Sequence, residues 1–370
     1  MRINFAMYNI GHSGGTRGIL EIANRLEQRG HDVTLTVPLP AERDYGVKWS
    51  SKVKVIRPPC GRYIEGSLTL DYLVRGCFAF ARRLGYRRAF EADLVKRLSE
   101  MVPNCDVNVA TLAPTAFAIH RSGKGKPFYY VQGYEPWSSE DPYVSKIAEE
   151  ALLLPMSLIA VSRWVQGILR EKCGKESYLS LPGVNHEVFH PDGDMAPRSS
   201  RKRIMCIGRT LKWKGFSDIV SAMNLVFKKI PNVELTVVTP DRISLEGTEF
   251  PYQIIQSPND ETLASYYRSC DVFVSASHFE SFSSPPIEAM ASGRPVVTTS
   301  GGPEEYAVNE LNSLVIPPKN PAVLADAVVR LLNDPNLSKR LSEEGVATAG
   351  KFTWDKSATR FEEIFRNALN

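Results

Sequence analysis

The sequence predicts two doubly wound, Rossmann-like α/β domains facing each other across a cleft, and three observations carry that expectation. The chain has 370 residues, beyond the size at which a single hydrophobic core stops growing. Strand-like apolar runs alternate with helix-length amphipathic segments along its whole length. The alternation is broken once, at 190–200, by a stretch rich in Pro, Gly, Asp and Ser, and then starts again.

In the first half, 3–8 reads as a strand, 18–29 as a helix stopped by Gly30, and 33–37 as the next strand, which completes a βαβ unit. Further strands are predicted at 53–56, 107–111, 128–132 and 158–161, with helices between them. In the second half the order is strand 203–207, helix 216–228, strand 234–238, helix 261–269, strand 272–275, helix 286–291 and strand 295–299. A last helix is expected over 355–369. The domain boundaries that follow are 1–189, 190–352 and a terminal segment 353–370.

Hydrophobic residues make up 43% and charged residues 23%, which excludes a collagen-like, coiled-coil or wholly disordered chain. The apolar start reaches Gly11 too soon for a secretory signal, and the longest apolar run, 151–161, is interrupted by Pro155. The six cysteines form no CxxC pair and the six histidines no HExxH, so reduced thiols in a cytoplasmic protein without a protein-bound metal are expected. The net charge of +4 is unevenly spread. Arg75, Arg82, Arg83, Arg87, Arg88, Lys96 and Arg97 outnumber Glu91 and Asp93 and alternate with Phe78, Phe80, Tyr86 and Phe90. That segment reads as a basic amphipathic helix or helix pair, either a solvated face over a buried stripe or a contact for an anionic membrane surface or an acidic acceptor. No nucleic-acid module is recognisable in it.

Three constellations carry chemistry. Glu280 lies just past a buried strand and Glu288 eight residues on, inside the next helix, whose start is marked by Ser283, Ser284, Pro285 and Pro286. An anion at such a start meets free N–H groups and the positive end of the helix dipole. Carboxylates on either side are suited to gripping sugar and ribose hydroxyls. Next, Gly208-Arg209 ends a strand and Lys214-Gly215 opens a helix. Two fixed cations there stabilise negative charge on departing phosphates without a metal or a proton transfer. Lys212 is the less favoured partner. Finally, His12, Gly14 and Gly15 fall in a glycine-rich turn after the first strand, a signal common to many nucleotide-binding folds.

These residues resemble those of the retaining glycosyltransferases of family 4, which have the two-domain GT-B fold. Glu280 to Glu288 is similar to that family's E-x7-E motif, and Gly301-Gly302-Pro303-Glu304-Glu305 to its Gly-Gly-x-x-Glu loop. The resemblance implies that Glu280 contacts the donor sugar and Glu288 its ribose. It implies that Arg209 and Lys214 hold the donor diphosphate, and that the Gly14-Gly15 loop faces it. The first domain would then bind the acceptor and the second a nucleoside-diphosphate sugar, while 353–370 would cross back to the first domain. Two departures stand out. Ser283 occupies a position that is usually Gly. Around Gln132-Gly133-Tyr134-Glu135 there is no His, and the text looks more like a rhamnosyltransferase-containing subgroup. Gln132, Glu135 and His12 are the candidates for acceptor or sugar contacts, and Thr239-Pro240-Asp241 and 257–259 for details of specificity.

The expected activity is a metal-independent, retaining transfer of a hexosyl or deoxyhexosyl unit to a glycan, a lipid-linked or a small-molecule acceptor, in the assembly of cell-envelope polysaccharide. Two other readings stand beside it: a sugar-nucleotide epimerase, and a non-catalytic nucleotide-sugar-binding partner of a glycosyltransferase complex.

Overall fold

The computed structural model describes residues 1–8, 10, 13–37, 50, 52–56, 87–139 and 141–370. Two compact units emerge. The first comprises Met1–Ala160, Val165–Leu179 and Ala358–Asn370; the second comprises Val161–Trp164 and Ser180–Ser357.

The first unit holds a seven-stranded parallel sheet in the order β3-β2-β1-β4-β5-β6-β7. Its strands are β1 (Arg2–Ala6), β2 (Asp32–Thr36), β3 (Lys54–Ile56), β4 (Val107–Ala110), β5 (Lys126–Val131), β6 (Ser157–Ala160) and β7 (Ser177–Leu179). Strands covered on both faces need apolar residues at successive positions, and β4 is buried at every one. Within that apolar slab, the Asn4 amide donates to Asn108 at 2.9 Å, and the Thr36 hydroxyl donates to Asn4 at 2.8 Å. This buried polar chain ties β2, β1 and β4 in one register, since a slip would strand unpaired amides in the core. Phe361 and Phe365 of the terminal helix, Trp354–Leu369, are fully buried and meet Phe5, Phe128 and Tyr130.

The second unit repeats the plan with six parallel strands in the order β10-β9-β8-β11-β12-β13. They are β8 (Lys202–Ile207), β9 (Val233–Thr239), β10 (Tyr252–Gln256), β11 (Val272–Val274), β12 (Val296–Thr299) and β13 (Leu314–Ile316). In both units the chain winds outward from one strand and then returns to that strand's other side. The crossing points are β1/β4 and β8/β11, and crevices at the carboxyl ends of such neighbours are where open α/β sheets bind ligands.

Several elements differ from expectation. The first helix runs Gly14–Gln28, four residues earlier than expected, because Ser13 caps it by accepting from the Thr16 N–H at 3.1 Å. Two helices that were not anticipated, Pro321–Asn333 and Pro335–Ala349, each open on a cap and proline, Asn320-Pro321 and Asp334-Pro335. The stretch 190–200 lies inside the second unit. There the Arg268 guanidinium donates to the carbonyls of Asp194, Val188 and His190. Most of the basic segment lies outside the described residues; from Arg87 to Met101 it is helical. No described helix is long and apolar enough to cross a membrane.

Candidate functional site

In the second unit the loop after β8 and the loop after β11 meet at the carboxyl edge of the β8/β11 crossing. Gly208 ends the first strand where no side chain fits: a Cβ there would lie 2.5 Å from Val237 Cγ1. A short 3-10 turn, Lys212–Lys214, follows, and Gly215 takes a φ of 66°. The backbone at Gly215 presses so close that a Cβ would sit 1.9 Å from the Ala276 carbonyl oxygen. This contact sets the two loops side by side.

Lys214 and Glu280 are brought together directly. Lys214 Nζ donates to Glu280 Oε1 at 2.6 Å, and the Ser277 hydroxyl donates to the same oxygen at 2.8 Å. Both side chains are largely covered, 26% and 15% exposed, so the pair is only weakly screened by solvent. The Glu280 N–H donates to the Gly301 carbonyl at 2.7 Å, which fixes the acid against the loop after β12. In that loop Glu304 accepts from the N–H groups of Gly301 and Gly302, while Glu305 accepts from the backbone and guanidinium of Arg163.

Arg209 is held separately. Its Nε donates to Asp241 at 3.1 Å, and the Thr210 N–H and hydroxyl donate to the same Asp241 oxygen at 2.7 and 3.0 Å. Burial pushes the Asp241 carboxyl up, but the Thr210 bonds and the Arg209 charge outweigh it, and the group stays below its ordinary value.

Ser284 and Pro285 form the first turn of the helix Ser284–Ala291, and Ser283 precedes it with φ 61° and ψ 85°. A serine has thus kept the left-handed conformation that a glycine adopts freely, at a cost of about 1 kcal/mol. The Tyr306 hydroxyl steadies it by donating to the Ser283 carbonyl. Glu288 is buried further along this helix and accepts from the Tyr267 hydroxyl at 3.2 Å.

In the first unit Gly14 and Gly15 open the helix Gly14–Gln28, and Gln132, just past β5, lies over Gly15. A Cβ on Gly15 would be 2.7 Å from Gln132 Oε1. His12 lies outside the described residues. Glu135 turns inward: the Tyr129 hydroxyl donates to one carboxylate oxygen, and the Ala113 N–H, at the start of the helix Ala113–Ser122, donates to the other at 3.0 Å. Glu135 therefore ties β5 to the start of the helix that follows β4.

Burial raises the Glu135 pKa to about 7 against the opposing effect of these two bonds. The carboxyl is neutral more readily in the folded chain than in the unfolded one. Its contribution to stability is complete below its unfolded value of 4.5 and is lost as the pH rises through about 7. Urea denaturation of Glu135→Gln beside the wild type should show the difference moving in the variant's favour by about 1–3 kcal/mol between about pH 5 and about pH 8. Parallel stability profiles would contradict this.

Four further groups lie near these loops. Three of them, Trp213, Ser277 and Phe279, carry no signal in the sequence; the fourth, Asp241, has its expected place only in a specificity region.

Residues 194–347 match the family Glycosyl transferases group 1. A D-inositol 3-phosphate glycosyltransferase of Streptomyces bingchenggensis is 37% identical over 285 residues, 69% of this chain and 62% of that protein. The chain spans about half to three fifths of the length of the first curated relatives it matches. Among solved structures, sucrose-phosphate synthase from Thermosynechococcus elongatus superposes with a TM-score of 0.75 at 19% identity, over 99% of this chain and 98% of that one. HepE of Anabaena, solved with UDP and glucose, gives 0.72 at 16% identity, over 99% of each. The fold shared with both is GT-B, built of two Rossmann-like halves with parallel sheets.

Proposed function

We propose, from the match of residues 194–347 to the glycosyl transferases group 1 family, that the chain is a retaining, metal-independent glycosyltransferase using a nucleoside-diphosphate sugar. The observation that carries the reading is the Lys214–Glu280 pair at the carboxyl edge of the β8/β11 crossing. A cation and an acid held together there are suited to the junction between a diphosphate and its sugar. That HepE was solved with UDP and glucose supports a nucleotide-sugar donor, and the inositol-phosphate glycosyltransferase relative supports a small hydroxylated or glycan acceptor. We place the activity in the cytoplasm, in assembly of cell-envelope polysaccharide, with a hexosyl or deoxyhexosyl unit as the group transferred.

The reaction proceeds on one face of the sugar. The bond from the anomeric carbon to the phosphate oxygen breaks, and a bond to an acceptor hydroxyl oxygen forms on the same face. The acceptor's proton passes to the departing phosphate oxygen. Arg209 and Lys214 stabilise the charge that collects on that phosphate, so no carboxylate nucleophile is required. Glu280 orients the sugar hydroxyls and Glu288 those of the ribose. Ser284, Pro285 and the start of their helix are suited to the phosphates. Gln132 stands at the acceptor.

A thermal-shift panel of UDP-, GDP-, dTDP- and ADP-sugars tests the reading. A donor at about 100 times its dissociation constant adds about 2.7 kcal/mol to the stability of the folded state. The matching donor should raise the melting temperature and be hydrolysed slowly in the absence of acceptor. If no nucleotide sugar shifts the transition, the reading fails.

A further inference from the structure

The Lys214–Glu280 contact joins residues from two loops, and those loops are fastened together by further contacts beside that ion pair. The Trp213 and Phe279 rings stack, with centroids 5.8 Å apart and planes 15° from parallel. The His278 N–H donates to the Trp213 carbonyl at 2.6 Å. Nε2 of His278 meets Asp218 Oδ2 at 2.8 Å, on the helix Phe216–Lys229 that follows Lys214. Gly215 closes the set against the Ala276 carbonyl. Each of Trp213 and Phe279 is the immediate chain neighbour of one partner in the ion pair. A displacement of either ring therefore moves Lys214 or Glu280 with it.

We propose that Trp213 and Phe279, with His278 and Asp218 behind them, form a brace that sets the Lys214–Glu280 geometry, which makes Trp213 and Phe279 positioning residues for binding the diphosphate. The inference rests on the glycosyltransferase reading above, because it presumes that Lys214 meets a phosphate. A side chain on a flexible four-carbon stem needs such support, since a lysine left loose loses rotamer freedom when it binds. An aromatic pair in offset stacking contributes attraction beyond its buried area and resists sliding of one loop past the other. The brace lies entirely within the second unit.

The test measures binding of free UDP, GDP and ADP by calorimetry and takes forward whichever binds the wild-type protein most tightly. Trp213→Ala should weaken that nucleotide about tenfold, whereas Trp213→Phe, which keeps a ring to stack, should stay within about twofold of wild type. Lys214→Ala should also weaken it. In the Lys214→Ala background, Trp213→Ala should add almost nothing, because the brace acts through that lysine; a merely structural role would give additive losses.

The outcomes separate cleanly. Unchanged affinity in Lys214→Ala overturns the site reading itself. Loss in Lys214→Ala with wild-type affinity in Trp213→Ala overturns the brace alone, as do additive losses in the double variant. Should Trp213→Ala not fold, Phe279→Leu, which retains apolar volume without a ring face, carries the same expectation and the same cycle with Lys214→Ala.

Discussion

Arg209→Ala is expected to lower turnover by about 10²–10³-fold while leaving the fold intact, since a preorganised charge beside a developing oxyanion is worth that much. The geometry around this residue supports the magnitude. Asp241 takes Nε, and the two terminal nitrogens have no hydrogen-bond partner among the described residues. Nε is thereby anchored, and the proposed function gives the planar fork that remains to phosphate oxygens. Removing it leaves Asp241 still bonded to the N–H and hydroxyl of Thr210, so no orphaned carboxylate is created and the melting temperature should hardly move. Arg209→Lys should rescue little, because a point charge on a flexible stem cannot reproduce the fork that Asp241 orients. The measurement is kcat for donor hydrolysis or transfer, beside a thermal melt of each variant. Wild-type turnover in Arg209→Ala would remove Arg209 from the mechanism.

What the sequence made legible, and what it hid, follows from how local each signal is. Strand 107–111 and helix 216–228 were readable because their apolar periodicity depends only on their own residues, and the observed Val107–Ala110 and Phe216–Lys229 agree to within a residue. Glu280 and Lys214 were each singled out by neighbours in sequence. That they touch follows from the winding of β8 and β11 onto adjacent positions, information that resides in topology and not in spacing. Glu135 shows the opposite case. Its carboxylate accepts from Tyr129, within β5, and from the N–H of Ala113, at the start of the helix Ala113–Ser122, partners that its neighbours in sequence do not announce. Trp213 and Phe279 had no visible role, because a stack between residues 66 positions apart leaves no periodic trace. Asp241 was marked for specificity, and its bond to Arg209 was invisible for the same reason.

Gly302 carries the last expected result, and here a motif acquires a physical reason. Its φ of 147° lies where a side chain is strained, and an added Cβ would fall 2.4 Å from Glu280 Cβ and 2.6 Å from the Glu280 carbonyl oxygen. Neither neighbour is the free end of a flexible chain. Gly302→Ala must therefore displace the backbone that carries Glu280, and with it the carboxylate that Lys214 and Ser277 hold. Turnover should fall about 100-fold from a shift of this kind, with a stability loss of about 1–3 kcal/mol. Gly247→Ala separates the two effects. Gly247 has φ 82° but nothing within 4 Å of where its Cβ would be, so the substitution introduces backbone strain without a collision. It should destabilise the chain by about 1–2 kcal/mol and leave turnover as it was. Equal loss of turnover in both variants would mean that Gly302 matters only through global stability. A loss confined to Gly302→Ala would tie the glycine to the position of Glu280, and so, under the proposed function, to the grip on the donor sugar.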